Sequence, residues 1–375
     1  MFTTELTKKE LDFMSQSDIF LELFLKERGF SDISDVESIT SRVPFPLNPI
    51  LVHDFRKLQA SERSQIVESY QKWGVAHLMV LNPDDNPISS HPMLDICEQL
   101  KDELHLHYPL QHPLEGHSEA VARFGPPDGT AKFYNLPKPL DGPTYREVAT
   151  TSDVLEVHTD GGGFGGTVQT IALYLDSPAL FGGFTFFYDV ATLGVELAKT
   201  DMEAFRYLFL PDAITSIRPR GEGAIKITSP ALYVNEDNQP QIFFRSTNGE
   251  HKAIWRKGCA PLDRACDFLY TYTTAFTPGS YFIPFTRKGQ MCLSRNRDLA
   301  HGRTAYTNGQ MAADQRVMSK KWFMTAEKHA VQKNVPGTAV RADFAALFPE
   351  QFGADKLVGH WLYDMQSDTN YLARQ

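Results

Sequence analysis

The sequence predicts a mainly β core with flanking and inserted α-helices. From residue 153 onward, short runs rich in β-branched and aromatic residues follow one another between turn residues: "DVLEVH", "TVQTIALYL", "GFTFFY", "AIKI", "ALYV", "PQIFFR", "QMCLS", "RTAY" and "RVMSKKWFM". Closely spaced runs of this kind mark an all-β architecture. Helical periodicity, by contrast, is confined to the first part of the chain and to two later insertions.

The elements follow in order. In residues 5–29, Leu6, Leu11, Phe13, Met14, Phe20, Leu21, Phe24 and Leu25 recur mostly at helix-face spacings, which predicts one or two amphipathic helices capping the core. After the Pro-broken "VPFPLNP", Ser61 is the expected N-cap of a helix carrying Ile66, Val67, Tyr70 and Trp73 on one face. Gly74 ends that helix, and the short apolar run "VAHLMVL" predicts a strand. Another helix is expected around "MLDICEQLKDEL". Residues 109–143, dense in Pro, Gly and His, predict a long surface connection.

Two helices should interrupt the β region, one beginning near Thr200 with a T-x-x-E box (Thr200, Glu203) and one through "LDRACDFLYTYTTAF". No repeat, low-complexity tract or long linker divides the chain. A single domain is therefore expected: a helical cap over 1–50, a core with helical insertions over 51–330 and a peripheral segment over 331–375.

Composition narrows the function classes. With 375 residues, 42% hydrophobic and 22% charged, the chain is globular and long enough for a sizeable core. A net charge of -9 disfavours a phosphate-neutralising surface, so no nucleic-acid partner is expected. Cys97, Cys259, Cys266 and Cys292 are scattered without a CxxC pair, which suits a reducing compartment. The N-terminus lacks the uninterrupted apolar segment of a signal peptide, and no stretch approaches the roughly 18 apolar residues of a membrane span. A cytoplasmic protein with a small-molecule substrate and no membrane partner is expected.

The chemistry begins at "HTDGGGFGG". His158 and Asp160 alternate about Thr159 at the end of a strand, so both side chains share a face and can reach one ion. Alone, an HxD pair is a weak pattern. A third ligand candidate is His301 in "LSRNRDLAHGRTAYTNG", between two strand-like runs. Two histidines and one carboxylate on one face of an octahedral metal leave three positions open, an arrangement suited to non-haem Fe(II) binding a co-substrate and O2 together. Arg316 follows on a returning strand, where a guanidinium can give two parallel hydrogen bonds to a carboxylate beside the metal. Taken singly, His301 reads equally as a capped loop histidine and Arg316 as a surface ion pair.

Four signatures in order, "HTD" at 158–160, "GGFT" at 182–185, "HGRTAY" at 301–306 and Arg316, resemble the Fe(II)/2-oxoglutarate-dependent oxygenases of the taurine dioxygenase and clavaminate synthase-like group. The resemblance extends over residues 67–324. It implies a double-stranded β-helix (jelly-roll, cupin-like) core, with Fe(II) held by His158, Asp160 and His301. It also implies 2-oxoglutarate held by Thr185 and Arg316, and O2 as the further co-substrate. The expected reaction is hydroxylation of a small polar metabolite such as an amino acid derivative, with release of succinate and CO2. Desaturation, epoxidation and cyclisation are alternative outcomes of the same chemistry.

Gly161, Gly162 and Gly163 are candidate substrate contacts because backbone without Cβ atoms can approach a ligand closely. Arg245, closing "PQIFFR", is a candidate partner for an anionic substrate group. The histidines of "HLHYPLQHPLEGH" (His105, His107, His112, His117) form a competing zinc-like cluster without rigid support. Two readings from other classes stand beside the oxygenase: a zinc hydrolase using the same three ligands, and a silent jelly-roll binding module.

Overall fold

In the computed structural model the described residues are 6–41, 45–84, 91–110, 122–135, 148–161, 168–220, 223–235, 237–248, 251–274, 277–311 and 314–325. The expected peripheral segment 331–375, together with Gly162, Gly163, His112 and His117, lies outside them.

Two β-sheets dominate. The larger joins Ile50–Val52, Val75–Val80, Gln290–Arg295, Val168–Ser177, Val317–Met324 and Pro109–Leu110 in that order, with Ala131–Tyr134 also paired to Val317–Met324. The smaller runs Phe45–Pro46, Ser280–Ile283, Thr185–Asp189, Leu299–Arg303, Leu155–His158. Pairing within them is antiparallel except at the two N-terminal additions, Phe45–Pro46 on Ser280–Ile283 and Ile50–Val52 on Val75–Val80.

Strand side chains alternate between faces, and this period sorts them into layers. Leu173, Leu175, Cys292, Met318 and Trp322 of the larger sheet meet Phe187, Tyr281, Ile283 and Leu299 of the smaller one in a shared core. The opposite face of the larger sheet, with Ala172, Tyr174, Met291 and Leu293, packs on Ile66 and Tyr70 of the helix Ala60–Trp73 and on Met93 and Ile96 of the helix Pro92–Gln99. The opposite face of the smaller sheet, with Phe186, Tyr188 and Ala300, packs on helices Gln16–Arg28, Val190–Thr200, Met202–Tyr207 and Ala260–Thr271. Each fully buried aromatic there, Phe20 and Phe205 among them, contributes about 1.5–3 kcal/mol of transfer free energy.

Local expectations are corrected in three places. The helix expected to start at Ser61 is capped by Gln59, whose side chain forms a reciprocal box with Glu62. Near Thr200 the chain forms two helices instead of one, with Asp189 and Asp201 as the capping side chains. Finally, the surface connection expected at 109–143 contributes the strands Pro109–Leu110 and Ala131–Tyr134 to the larger sheet. The run "HGR" also pairs as strand, because His301 lies inside Leu299–Arg303.

No helix among the described residues is long and apolar enough to cross a membrane. All four cysteines are free.

Candidate metal centre

The smaller sheet sets His158 directly opposite His301 across an antiparallel pair, and His301 opposite Phe187 on its other side. Residues opposite one another share a face, so both imidazoles point between the sheets alongside Leu299 and Phe187. Their ring centroids lie 4.6 Å apart. Gly302 permits this closeness: a Cβ there would stand 3.0 Å from the Leu155 carbonyl oxygen.

Asp160 completes the group two residues past His158. One oxygen lies 3.3 Å from His158 Nε2 and the other 3.9 Å from His301 Nε2. Each of the three residues offers a donor atom within 4.8 Å of the others, and this is the one such group among the described residues. His158 Nδ1 donates to the Glu156 carbonyl at 2.7 Å, which leaves Nε2 as the ring nitrogen facing Asp160. Burial, reinforced by the neighbouring cations, lowers the His301 pKa to about 3, so its imidazole is neutral, the form a metal ligand needs.

Burial would raise the Asp160 carboxyl, but the Lys320 ammonium and the two imidazoles outweigh it and hold the group well below its ordinary range. Lys320 Nζ donates to the carboxylate, and Trp322 Nε1 donates to the same oxygen at 3.1 Å. Lys320, Trp322 and Met318 occupy alternate positions of Val317–Met324, which brings all three to the inter-sheet face. A charge on the apolar face of a strand was the sequence signal for Lys320. Asn296 carried none: its side chain accepts from Asp160 N–H at 2.9 Å and donates to the Asp160 carbonyl at 3.0 Å.

Thr185 and Arg303 are opposite one another on the strands that carry Phe187 and His301, so they share the inter-sheet face. The Arg303 guanidinium is tied to the Thr151 and Asp153 carbonyls at 2.9 and 2.6 Å. Arg316 is different. It is 3% exposed, meets the Tyr306 ring face at 5.2 Å, and its Nε has no hydrogen-bond partner among the described residues. Among those residues no carboxylate pairs with it, and burial together with the adjacent Arg303 charge lowers its pKa. A buried cation without a counter-charge is costly, and the arrangement fits an anionic ligand.

The glycines of "GGFT" serve that guanidinium. Both have positive φ, 80° and 76°. A Cβ on Gly183 would fall 2.7 Å from Arg316 Nε, and one on Gly182 2.3 Å from the Ala305 carbonyl oxygen. Gly183→Ala is expected to destabilise the fold by about 2–5 kcal/mol, combining left-handed backbone strain with overpacking. The shift of the urea midpoint at unchanged m-value measures it.

Arg245 forms an isolated antiparallel bridge with His158, and its charge is among those that depress the His301 pKa. Gly161 is buried and left-handed, with φ 67°. Of the competing histidine cluster, His105 and His107 belong to no metal-capable group among the described residues.

The fold resembles solved structures of low sequence identity. The non-heme iron oxygenase OrfP in complex with Fe, succinate and (3R,4R)-dihydroxy-L-Arg superposes with a TM-score of 0.50 at 13% identity, covering 88% of this chain and 96% of that one. Asparagine oxygenase in complex with Fe(II), 2S,3S-3-hydroxyasparagine and succinate gives 0.49 at 14% identity, over 83% and 92%. A putative alpha-ketoglutarate-dependent taurine dioxygenase from Burkholderia xenovorans gives 0.47 at 13% identity, over 76% and 90%. No curated protein sequence matches the chain. The model of the family described as "Taurine catabolism dioxygenase TauD, TfdA family" matches residues 52–320, a span that takes in both imidazoles, Asp160, Arg316 and most of the two sheets, and the chain belongs to that family.

Proposed function

We propose that the chain is a non-haem Fe(II)- and 2-oxoglutarate-dependent dioxygenase that hydroxylates a C–H bond of a small polar metabolite such as an amino acid derivative, releasing succinate and CO2. The observation that carries this reading is the convergence of two imidazoles and one carboxylate between the sheets. That donor set suits iron with open positions. In this reading His158, Asp160 and His301 hold the metal, and the two facing sheets form one double-stranded β-helix domain. The free cysteines agree with action in the reducing cytoplasm.

When bound, Fe(II), 2-oxoglutarate and O2 supply the oxidising chemistry. The chain's own residues orient and enclose. Arg316 holds the distal carboxylate of 2-oxoglutarate in its planar fork, with Thr185 as the second contact. Lys320 and Trp322 keep Asp160 ionised and fix its carboxylate plane, as outer partners of a metal ligand do. Arg245, beside His158, receives an anionic group of the substrate, and Gly161 with Gly162 and Gly163 lets backbone lie close to it.

A zinc hydrolase using the same ligands leaves Arg316 without a role. Under anaerobic conditions, Fe(II) and 2-oxoglutarate added together to the metal-free protein should give a visible charge-transfer band, and O2 should then release succinate when the right metabolite is present. A colourless mixture at saturating metal and 2-oxoglutarate would refute the oxygenase reading.

A further inference from the structure

Beyond its ligands, the candidate centre rests on a turn that reaches back to the N-terminal helix. The strand Leu155–His158 ends at His158, so the sheet ladder no longer fixes the backbone of Asp160. Asn296 takes over. Its side-chain amide accepts from Asp160 N–H at 2.9 Å, donates to the Asp160 carbonyl at 3.0 Å and donates to the Val168 carbonyl at 3.1 Å. Asp160 and Val168 flank the glycine-rich segment 161–167 in sequence, so one buried side chain ties both ends of that segment. Both N–H donors of the amide and one lone pair of its oxygen are spent on backbone, in the manner of a missing strand neighbour.

Asn296 sits in the tight turn "RNRD", which crosses from Gln290–Arg295 in the larger sheet to Leu299–Arg303 in the smaller. Asp298 N–H donates to the Arg295 carbonyl at 3.1 Å, closing the turn, and Asn296 N–H donates to the Gln169 carbonyl at 2.9 Å. The charged side chains of the turn are all buried. Arg297 makes two parallel bonds, 3.1 and 2.8 Å, to the Glu27 carboxylate. Asp298 pairs with Arg295 and, at 3.0 Å, with Arg28, which also reaches Asp189 at 3.2 Å. Glu27 and Arg28 form the last turn of the helix Gln16–Arg28, outside the residues that match the family model.

We propose that Asn296 is the positioning residue for the metal's carboxylate ligand, and that the N-terminal helix holds Asn296 in register through Glu27 and Arg28. The inference rests on the metal reading of His158, Asp160 and His301. The buried Asp298–Arg28 and Asp298–Arg295 pairs are poor sources of net stability but enforce one geometry, because displacement leaves a charge unpaired in a dry interior, while the pair of Arg297 with the solvent-exposed Glu27 adds orientation only. Displacement of the turn would release Asp160 from the line of the two imidazoles, which the sheet holds independently.

The test uses the full-length, metal-free chain titrated with Co(II), followed by calorimetry and by the Co(II) visible spectrum, with the melting temperature of the metal-free protein recorded alongside. Asn296→Ala should weaken Co(II) about 10–100-fold, the range of outer partners of metal ligands, and alter the spectrum. Asn296→Asp keeps the size and the acceptor but loses both donated bonds, so it should weaken Co(II) even where the alanine variant folds poorly. Arg28→Met touches none of the three ligands and should weaken Co(II) by about 10-fold. Asn235→Ala, which unties a different turn by removing the acceptor for Asp237 and Gln239 N–H, should lower melting and leave Co(II) affinity unchanged. Unaltered affinity in both Asn296 variants, or equal weakening in Asn235→Ala, overturns the role of Asn296. An Arg28→Met protein that melts earlier but binds Co(II) normally overturns the link to the helix. A wild-type chain that takes up no Co(II) overturns the metal reading, and this inference with it.

Discussion

Arg316→Met is expected to make the metal-free protein more stable while largely abolishing its affinity for 2-oxoglutarate. The two effects have opposite signs for one physical reason. Arg316 is buried with an unbonded Nε and no carboxylate partner among the described residues. Its pKa is lowered by burial and by Arg303, so folding works against the protonated form. The guanidinium stays protonated at neutral pH, so that penalty is present in full. Methionine fills similar volume without charge, and replacing buried charges by packed apolar groups is often stabilising by about 1–4 kcal/mol. Binding a dianion turns the same charge into an asset. Losing one partner of a buried, hydrogen-bonded charge pair costs about 2–5 kcal/mol, or roughly 30- to 4000-fold in affinity. Calorimetry with 2-oxoglutarate on the metal-loaded protein, with urea melts of the metal-free one, reads both. Arg316→Lys should fall between, since an ammonium retains the charge but not the planar fork. A methionine variant that is less stable and binds 2-oxoglutarate normally would instead make Arg316 a structural partner of Tyr306.

His301→Ala is expected to remove metal binding without unfolding the chain. An outer partner of a metal ligand is worth about 10–100-fold, so deleting a ligand itself should weaken Fe(II) or Co(II) by on the order of 1000-fold or more. Thermal melting makes the loss visible. At metal concentrations about 1000 times Kd, binding raises stability by about 4 kcal/mol, whereas a variant weakened 1000-fold gains only about 0.4 kcal/mol at the same concentration. The metal-dependent rise in melting temperature should therefore nearly vanish, while the metal-free baseline moves by the smaller amount due to a buried cavity. If the rise persists undiminished, His301 is not a ligand, and its pairing with His158 is only a strand contact.

Much of this architecture is legible before any coordinates. The short β-rich runs "TVQTIALYL" and "RVMSKKWFM" between turn residues read as strands, and the spacing of Phe20 and Phe24 gives a helix with one buried face. The HxD pair at a strand end follows from a local rule, since side chains two apart share a face, whereas the GG pair before Thr185 and the grouping of His301 and Arg316 with it are legible only through the ordered resemblance. Where local rules competed, the sequence misled. Thr200 and Glu203 match the capping-box pattern, but the Thr200 hydroxyl donates back to the Glu196 and Leu197 carbonyls of the preceding helix, and the Asp201 carboxylate accepts from Ala204 N–H and takes the cap. Residues 109–143 look like pure loop, yet Ala131–Tyr134 finds a free edge on Val317–Met324.

What the sequence determined by itself is the inventory: which donors exist, in which order, and which face of its own strand each occupies. Only the tertiary structure decided that His158 lies opposite His301, that Lys320 and Trp322 reach Asp160 from the other sheet, and that Asn296 replaces a strand neighbour for it. The reason is that register between distant strands is set by the burial of whole faces and by turn geometry, neither of which is written in any single window of residues. The same holds for buried charge. Whether an arginine finds a carboxylate, as Arg297 finds Glu27, or has none among the described residues, as Arg316 does, depends on which chain segments fold around it.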